Sequence, residues 1–232
     1  TGFVGVGKTD PQSTLDVAGS IRSSITADSL PVRISNISLP ATSPGTIDTV
    51  ISGGYAYVLG FSSATPLGVI DVSDPRNPLP IWSGTLTSAF GGNSALDLAI
   101  QGSYAYIGSA GAGGRFHIAD ISNPSLPVWR SAFTVGAGEG PPQFISVSGR
   151  YAYLVTAASP ARVIVVDVSN ATSPVRVGNV TLASGENTSL LSNYGVFKSG
   201  NYMYITTTTS PGRLVVVDVS NVSSPVRVGN VT

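Results

Sequence analysis

Few residues in this chain have the type and spacing to do chemistry, and each has a structural alternative. Asp48 and Asp97 each stand seven residues before a Tyr-x-Tyr pair, at the head of a short apolar stretch. Carboxylates recurring at one repeat position could form a ligand or cation site where such stretches converge. The positions that correspond in the next two repeats are Phe144 and Gly195, which breaks any ring of carboxylates. A hydrogen bond from each Asp to backbone amides is the structural reading. His117, the single histidine, sits in RFHIAD inside an apolar run. Base catalysis needs a poised partner, and no nucleophile-elbow pattern supplies one. Asp71, Asp120, Asp167 and Asp218 recur once per repeat ahead of a hydrophobic residue and Ser. That recurrence reads as turn capping through the side chain.

Two further patterns need a decision. Gly2-x-x-x-x-Gly7-Lys8-Thr9 matches a phosphate-loop formula. Nothing strand-like precedes it, and Asp10-Pro11 opposes the helix that should follow. It is not read as a nucleotide site. Asn36, Asn170, Asn179, Asn187, Asn221 and Asn230 head Asn-x-Ser/Thr sequons and are glycosylation candidates. Repeats copying their own residues would produce the same pattern. The chain has no cysteine, so disulfides, thiol catalysis and cysteine zinc sites are excluded. No catalytic residue, cofactor or metal site emerges, and the expectation is a non-enzymatic protein.

The elements that carry these residues are repeats. Residues 162–181 (RVIVVDVSNATSPVRVGNVT) return at 213–232 (RLVVVDVSNVSSPVRVGNVT). Tyr-x-Tyr occurs at Tyr55/Tyr57, Tyr104/Tyr106, Tyr151/Tyr153 and Tyr202/Tyr204. These pairs and the Asp series step by the same 49, 47 and 51 residues, so length changes lie in loops outside both landmarks. Each repeat reads as four strands: an apolar stretch ending at Gly, a Tyr-x-Tyr strand, an apolar run into Asp, and a strand after Pro. The third has no polar face and should be buried on both sides. Arg33, Arg176 and Arg227 align in the fourth strand and read as a solvated outer stripe. PVRISNIS at 31–38 matches PVRVGNVT, a last strand lacking its first three.

Four-stranded units of this length are propeller blades. The fold class is all-β: four four-stranded blades over about 44–88, 93–135, 142–183 and 190–232, after an extended arm (1–30) and an orphan outer strand (31–41). Gly54-Tyr55-Ala56-Tyr57-Val58, Val69-Ile70-Asp71-Val72-Ser73 and Val165-Val166-Asp167-Val168-Ser169-Asn170 resemble the LVIVD-repeat propellers. That resemblance implies a multi-blade ring, often on cell-surface proteins. Val4, Gly5, Val6, Gly7, Thr9, Pro11, Leu15, Asp16, Val17, Gly19, Ile21 and Arg22 resemble a segment of bacterial surface and phage tail-fibre-like proteins. Lys8 departs from that pattern. Three arrangements are open to such a ring: it continues past residue 232, closes alone, or is completed by another copy.

Charged residues are 10% of the chain and the net charge is zero, which removes the electrostatic case for nucleic acid or anionic membrane. No apolar run reaches the ~20 residues of a membrane helix. The expected protein is extracellular or cell-surface, structural or adhesive. Its expected partners are other copies, in filaments made by strand donation, and glycans. A glycan- or peptide-binding module is the alternative and a propeller enzyme the third reading.

Overall fold

Glycine begins the first hairpin turn of every repeat. Gly53, Gly102, Gly149 and Gly200 have φ between 53° and 62°, the left-handed backbone that two-residue hairpins require. From these turns four antiparallel meanders grow in a computed structural model that describes residues 4–6, 15–17, 35–37, 45–60, 67–84, 86, 93–111, 113–188 and 195–231. Blade 1 is β3 (Thr46–Ser52), β4 (Tyr55–Gly60), β5 (Leu67–Asp71) and β6 (Leu79–Gly84). Blade 2 is β7 (Ala95–Gln101), β8 (Tyr104–Ser109), β9 (Arg115–Asp120) and β10 (Val128–Thr134). Blade 3 is β11 (Pro142–Ser148), β12 (Tyr151–Thr156), β13 (Arg162–Asp167) and β14 (Val175–Thr181). Blade 4 is β15 (Val196–Ser199), β16 (Tyr202–Thr206), β17 (Leu214–Asp218) and β18 (Val226–Val231). Within each sheet every strand pairs with its sequence neighbour. No helix occurs among the described residues.

The N-terminal segment is a separate compact unit, residues 1–36. There β1 (Val4–Val6) pairs in parallel with β2 (Leu15–Val17). The phosphate-loop match at Gly2, Gly7, Lys8 and Thr9 lies outside the described residues, as does Arg33.

Alternation along the strands gives each blade two unlike faces. One carries the Tyr-x-Tyr rings and the bulky third-strand residues. The other carries mainly aliphatic side chains, Ala105 and Ile107 in blade 2 and Met203 and Ile205 in blade 4 among them. The first face of blade 1 (Tyr57, Leu59, Leu67, Val69) packs on the second face of blade 2 (Ala105, Ile107, Ala119). Tyr106, Phe116 and Ile118 of blade 2 meet Ala152, Leu154, Ile164 and Val166 of blade 3. Tyr153, Val155, Val163 and Val165 of blade 3 meet Met203, Ile205, Val215 and Val217 of blade 4. Each fully buried aliphatic contributes roughly 1.5–3 kcal/mol, so every interface is a hydrophobic core.

The second face of blade 1 (Ala56, Val58, Ile70) is covered by Ile37 and Val72. Ile37 belongs to the orphan segment, whose described part, residues 35–37, carries no strand assignment. The expectation that third strands are buried on both sides holds for β9 and β13, whose four central residues are all buried. It fails for β17, where Leu214 is exposed and burial alternates. Among the described residues no blade lies over that side.

The turn between third and fourth strands also bridges blades. Ser131 on β10 donates its Oγ–H to the carbonyl of Ala171 in the blade 3 turn, 2.7 Å. Gly178 holds the same place on β14, and a Cβ there would collide with the Val222 carbonyl and the Ser223 backbone of blade 4. Gly229, its counterpart on β18, has open space. Gly178→Ala should therefore destabilise by about 2 kcal/mol through overpacking, while Gly229→Ala stays within about 0.5 kcal/mol. Urea unfolding of the two variants checks the contrast; equal losses would show that the turn does not press on β14.

Candidate functional site

The first strands of blades 1 to 3 carry the polar chemistry. A register shift interrupts β3 between Thr46 and Asp48, β7 between Ala95 and Asp97, and β11 between Pro142 and Phe144. Such bulges re-aim a side chain, and here they turn each Asp toward the next blade. Asp48 accepts from its neighbour Thr49 N–H at 2.7 Å and from Leu98 N–H on β7 at 3.1 Å. Asp97 accepts from Ile145 N–H on β11 at 2.5 Å. Lower on the same strands, the Gln101 amide clasps Gly149 with two bonds, 2.6 Å and 3.0 Å. The first strands of successive blades therefore lie side by side, and the expected amide hydrogen bonds are made to the neighbouring blade.

Burial dominates the Asp97 carboxyl and, with the Asp48 charge adding to it, pushes its pKa up to about 7, against the pull of the Ile145 amide. At neutral pH this group is poised between its protonated and ionised forms. It is the one carboxyl among the described residues raised so far. Among the described residues no group of three or more His, Cys, Asp or Glu could hold a metal ion.

His117 is fully buried on β9, 2.9 Å from the Ser109 hydroxyl, which is also fully buried. Burial, then the Arg115 charge, lowers its pKa to about 4. A neutral, enclosed Ser–His pair has no route to a substrate. The Asp series caps turns as expected: Asp71, Asp120, Asp167 and Asp218 each accept from the amide of the Ser two residues on, at 2.8–2.9 Å.

The sequon asparagines scatter by role. Asn36, Asn170, Asn179, Asn221 and Asn230 are exposed, whereas Asn187 is half-buried and Thr188 beside it is buried. Asn170 and Asn221 spend their side-chain oxygens inside turns, on Thr172 and Ser223 amides. Asn230 accepts from Arg227.

The solvated stripe expected of Arg176 and Arg227 is not what forms. Glu139 holds both Arg176 and Arg162, at 2.8–3.0 Å, from the loop between blades 2 and 3. Glu186, fully buried in the next loop, binds Arg227 through both carboxylate oxygens and accepts from Ala183 N–H at 2.8 Å. Arg227 first, and Arg176 in the other clamp, hold these carboxyls below the usual range. The signal was present: both glutamates stand 35 residues after a Tyr-x-Tyr start, and Arg162 and Arg213 stand 11 after one.

Antiparallel meanders stacked face to face, with first strands side by side, define a β-propeller. The LVIVD repeat matches residues 45–83, 92–135, 139–182 and 195–232, and the chain belongs to the LVIVD-repeat family. No curated protein matches it. A candidate 6-phosphogluconolactonase from Bacteroides uniformis has a similar structure: TM-score 0.62, 15% identity, over 78% of this chain and 55% of that one. Pseudomonas aeruginosa periplasmic gluconolactonase gives TM-score 0.59 and 15% identity, over 78% and 54%. The β-propeller domain of Myceliophteria thermophila Cps50 (Swd1) gives 0.56 and 11%, over 78% and 56%. The chain thus spans a little over half the length of these structures. At such identities the likeness shows the fold alone.

These findings overturn the expectation of a non-enzymatic structural or adhesion protein that assembles into filaments. The propellers it resembles include lactonase-type proteins. A missing motif is not missing chemistry, because a carboxyl acquires reactivity from the burial around it.

Asp97 and His117 give the stability opposite pH slopes. Unfolded Asp97 ionises near 4, while folded it keeps its proton to about 7, so its contribution is present below pH 4 and is lost as pH rises through 7. Unfolded His117 titrates near 6.5 and folded near 4, so its contribution is present above 6.5 and is lost as pH falls toward 4. Asp97→Asn should remove a loss of about 3 kcal/mol between pH 4 and 7, read by chemical unfolding across that range. An unchanged slope would show that burial does not hold the Asp97 proton to neutral pH.

Loss of Glu186 tests the clamp separately. Glu186→Ala leaves Arg227 without its carboxylate and should destabilise by about 3 kcal/mol, measured as a lower urea midpoint. A loss under 1 kcal/mol would make the clamp a surface pair.

Proposed function

We propose that this protein hydrolyses a small lactone outside the cytoplasm, with Asp97 as the proton-transferring group. The carrying observation is the Asp48–Asp97 arrangement on β3 and β7, where burial and a second carboxylate bring the Asp97 carboxyl to about 7. A general acid–base works best when its pKa lies near the operating pH. Ionised Asp97 would take a proton from the attacking water as the new C–O bond forms. The ring acyl C–O bond then breaks, and the same proton passes to the departing ring oxygen, leaving a hydroxy acid. The gluconolactonase-type neighbours support the substrate class, and the periplasmic one supports the compartment. Fold likeness alone carries no activity, so the site bears the argument.

Acid release from δ-gluconolactone and its 6-phosphate, followed by pH-stat, tests this. A rate above spontaneous hydrolysis is expected, rising with an apparent pKa near 7. Asp97→Asn, which keeps an acceptor for Ile145 N–H, should cut it at least tenfold while remaining folded. No rate above background, or full activity in Asp97→Asn, would leave Asp97 an inter-blade fastener only.

A further inference from the structure

We propose that Arg213, at the entry to β17, anchors a binding site for a small oxyanion, a carboxylate or a phosphate group. The two arginine clamps give an internal comparison. In the blade 3 clamp both arginines are bonded. Glu139 Oε1 accepts from Arg162 Nη1 at 2.9 Å and Arg176 Nη2 at 3.0 Å, and Oε2 accepts from Arg176 Nη1 at 2.8 Å. Arg213 holds the place of Arg162 in blade 4. There Glu186 is occupied by other donors. Its Oε2 accepts from Arg227 Nε at 2.7 Å and Ala183 N–H at 2.8 Å, and its Oε1 accepts from Arg227 Nη2. Arg213 is half-buried, and its Nε is buried with no hydrogen-bond partner. Among the described residues its guanidinium is in no ion pair.

An arginine keeps its charge at any working pH, and a charge drawn partly out of water is costly until it is paired. Each clamp sets two guanidinium groups against one carboxylate. At Glu186 the Arg227 pair is neutral, so the Arg213 charge is left over. That charge lies close enough to act on Glu186: after the Arg227 bond and the Ala183 amide, it helps hold the carboxyl below its usual range. Burial of one edge of the guanidinium strengthens whatever binds its other edge.

Hydroxyls stand beside Arg213 on the β16–β17 hairpin. Thr207 Oγ1 accepts from Arg213 N–H at 3.1 Å and lies 2.9 Å from the Thr209 hydroxyl. Between them Thr208 bonds the Asn187 carbonyl through its N–H and its hydroxyl, at 2.9 Å and 3.2 Å. The Asn187 side chain adds a second orphan, an Oδ1 buried without a partner. A planar fork of donors beside hydroxyls suits a carboxylate or phosphate, and Asn187 Oδ1 can accept from a hydroxyl on the same ligand. Arg213 is on blade 4 and Asp97 on blade 2, so this inference stands apart from the lactone reading.

Inorganic phosphate and gluconate are titrated separately into isotope-labelled protein at neutral pH and constant ionic strength, which removes general screening. NMR follows the Arg213 Nε–H signal, assigned by its absence in Arg213→Lys, and the backbone amides of Thr208 and Thr209. A saturable shift of all three is expected, with half-saturation at about 1 mM. Saturation by phosphate, by gluconate or by both names the group the site accepts. In Arg213→Gln the amide shifts should vanish, while the Arg227 Nε–H signal stays in place and shows the clamp intact. Thr209→Val, which keeps Arg213, should raise the half-saturation point at least threefold. No saturable shift with either anion up to about 50 mM, or amide shifts that survive Arg213→Gln, would overturn the proposal.

Discussion

Burial between unlike sheet faces is the constraint on which this molecule depends. A four-stranded meander with a fully apolar third strand is stabilised by covering both of its sides. Ile118 illustrates it: fully buried on β9, it reaches that state only because Ala152 and Leu154 of the next blade lie against it. The faces are unlike, with the Tyr57, Tyr106 and Tyr153 rings on one and mainly aliphatic side chains on the other. That pairing fixes which side of a blade meets which, and keeps like faces apart.

Polar fasteners then set the register of the stacked sheets. Asp48 and Asp97 reach across the inner strands, Gln101 clasps Gly149, and Glu139 and Glu186 grip arginines of the outer strands. Each satisfies donors that the apolar interface would otherwise strand. The inner fasteners carry a by-product. The part-buried Asp97 carboxyl beside Asp48 acquires a pKa of about 7, so the burial that secures two blades also supports the chemistry proposed for Asp97.

Most of the architecture was legible because repetition is redundant information. The paired tyrosines and the Asp-x-Ser turns located every blade, and strand alternation placed Tyr57, Tyr106 and Tyr153 on a buried face. The turn-capping role of Asp71 and its counterparts was equally plain, since the bonds span two residues. The Arg clamps escaped because their partners lie 37 and 41 residues away in loops of variable length. Asp97 was visible as a candidate, but its altered acidity was not. That property comes from the enclosure supplied by the neighbouring strands and from the Asp48 charge on another blade, neither of which has a local signature.

The turns that lean onto Ser131 and Gly178 give the stack a direction. In both cases a later segment reaches back to a strand made earlier, and never the reverse. During synthesis, each blade that leaves the ribosome meets a support already in place. The open flank of each of the first three blades is then covered by the blade that follows 47–51 residues later. The stack thus has a polarity, the turn of the following blade lying on the outer strand before it at Ser131 and Gly178.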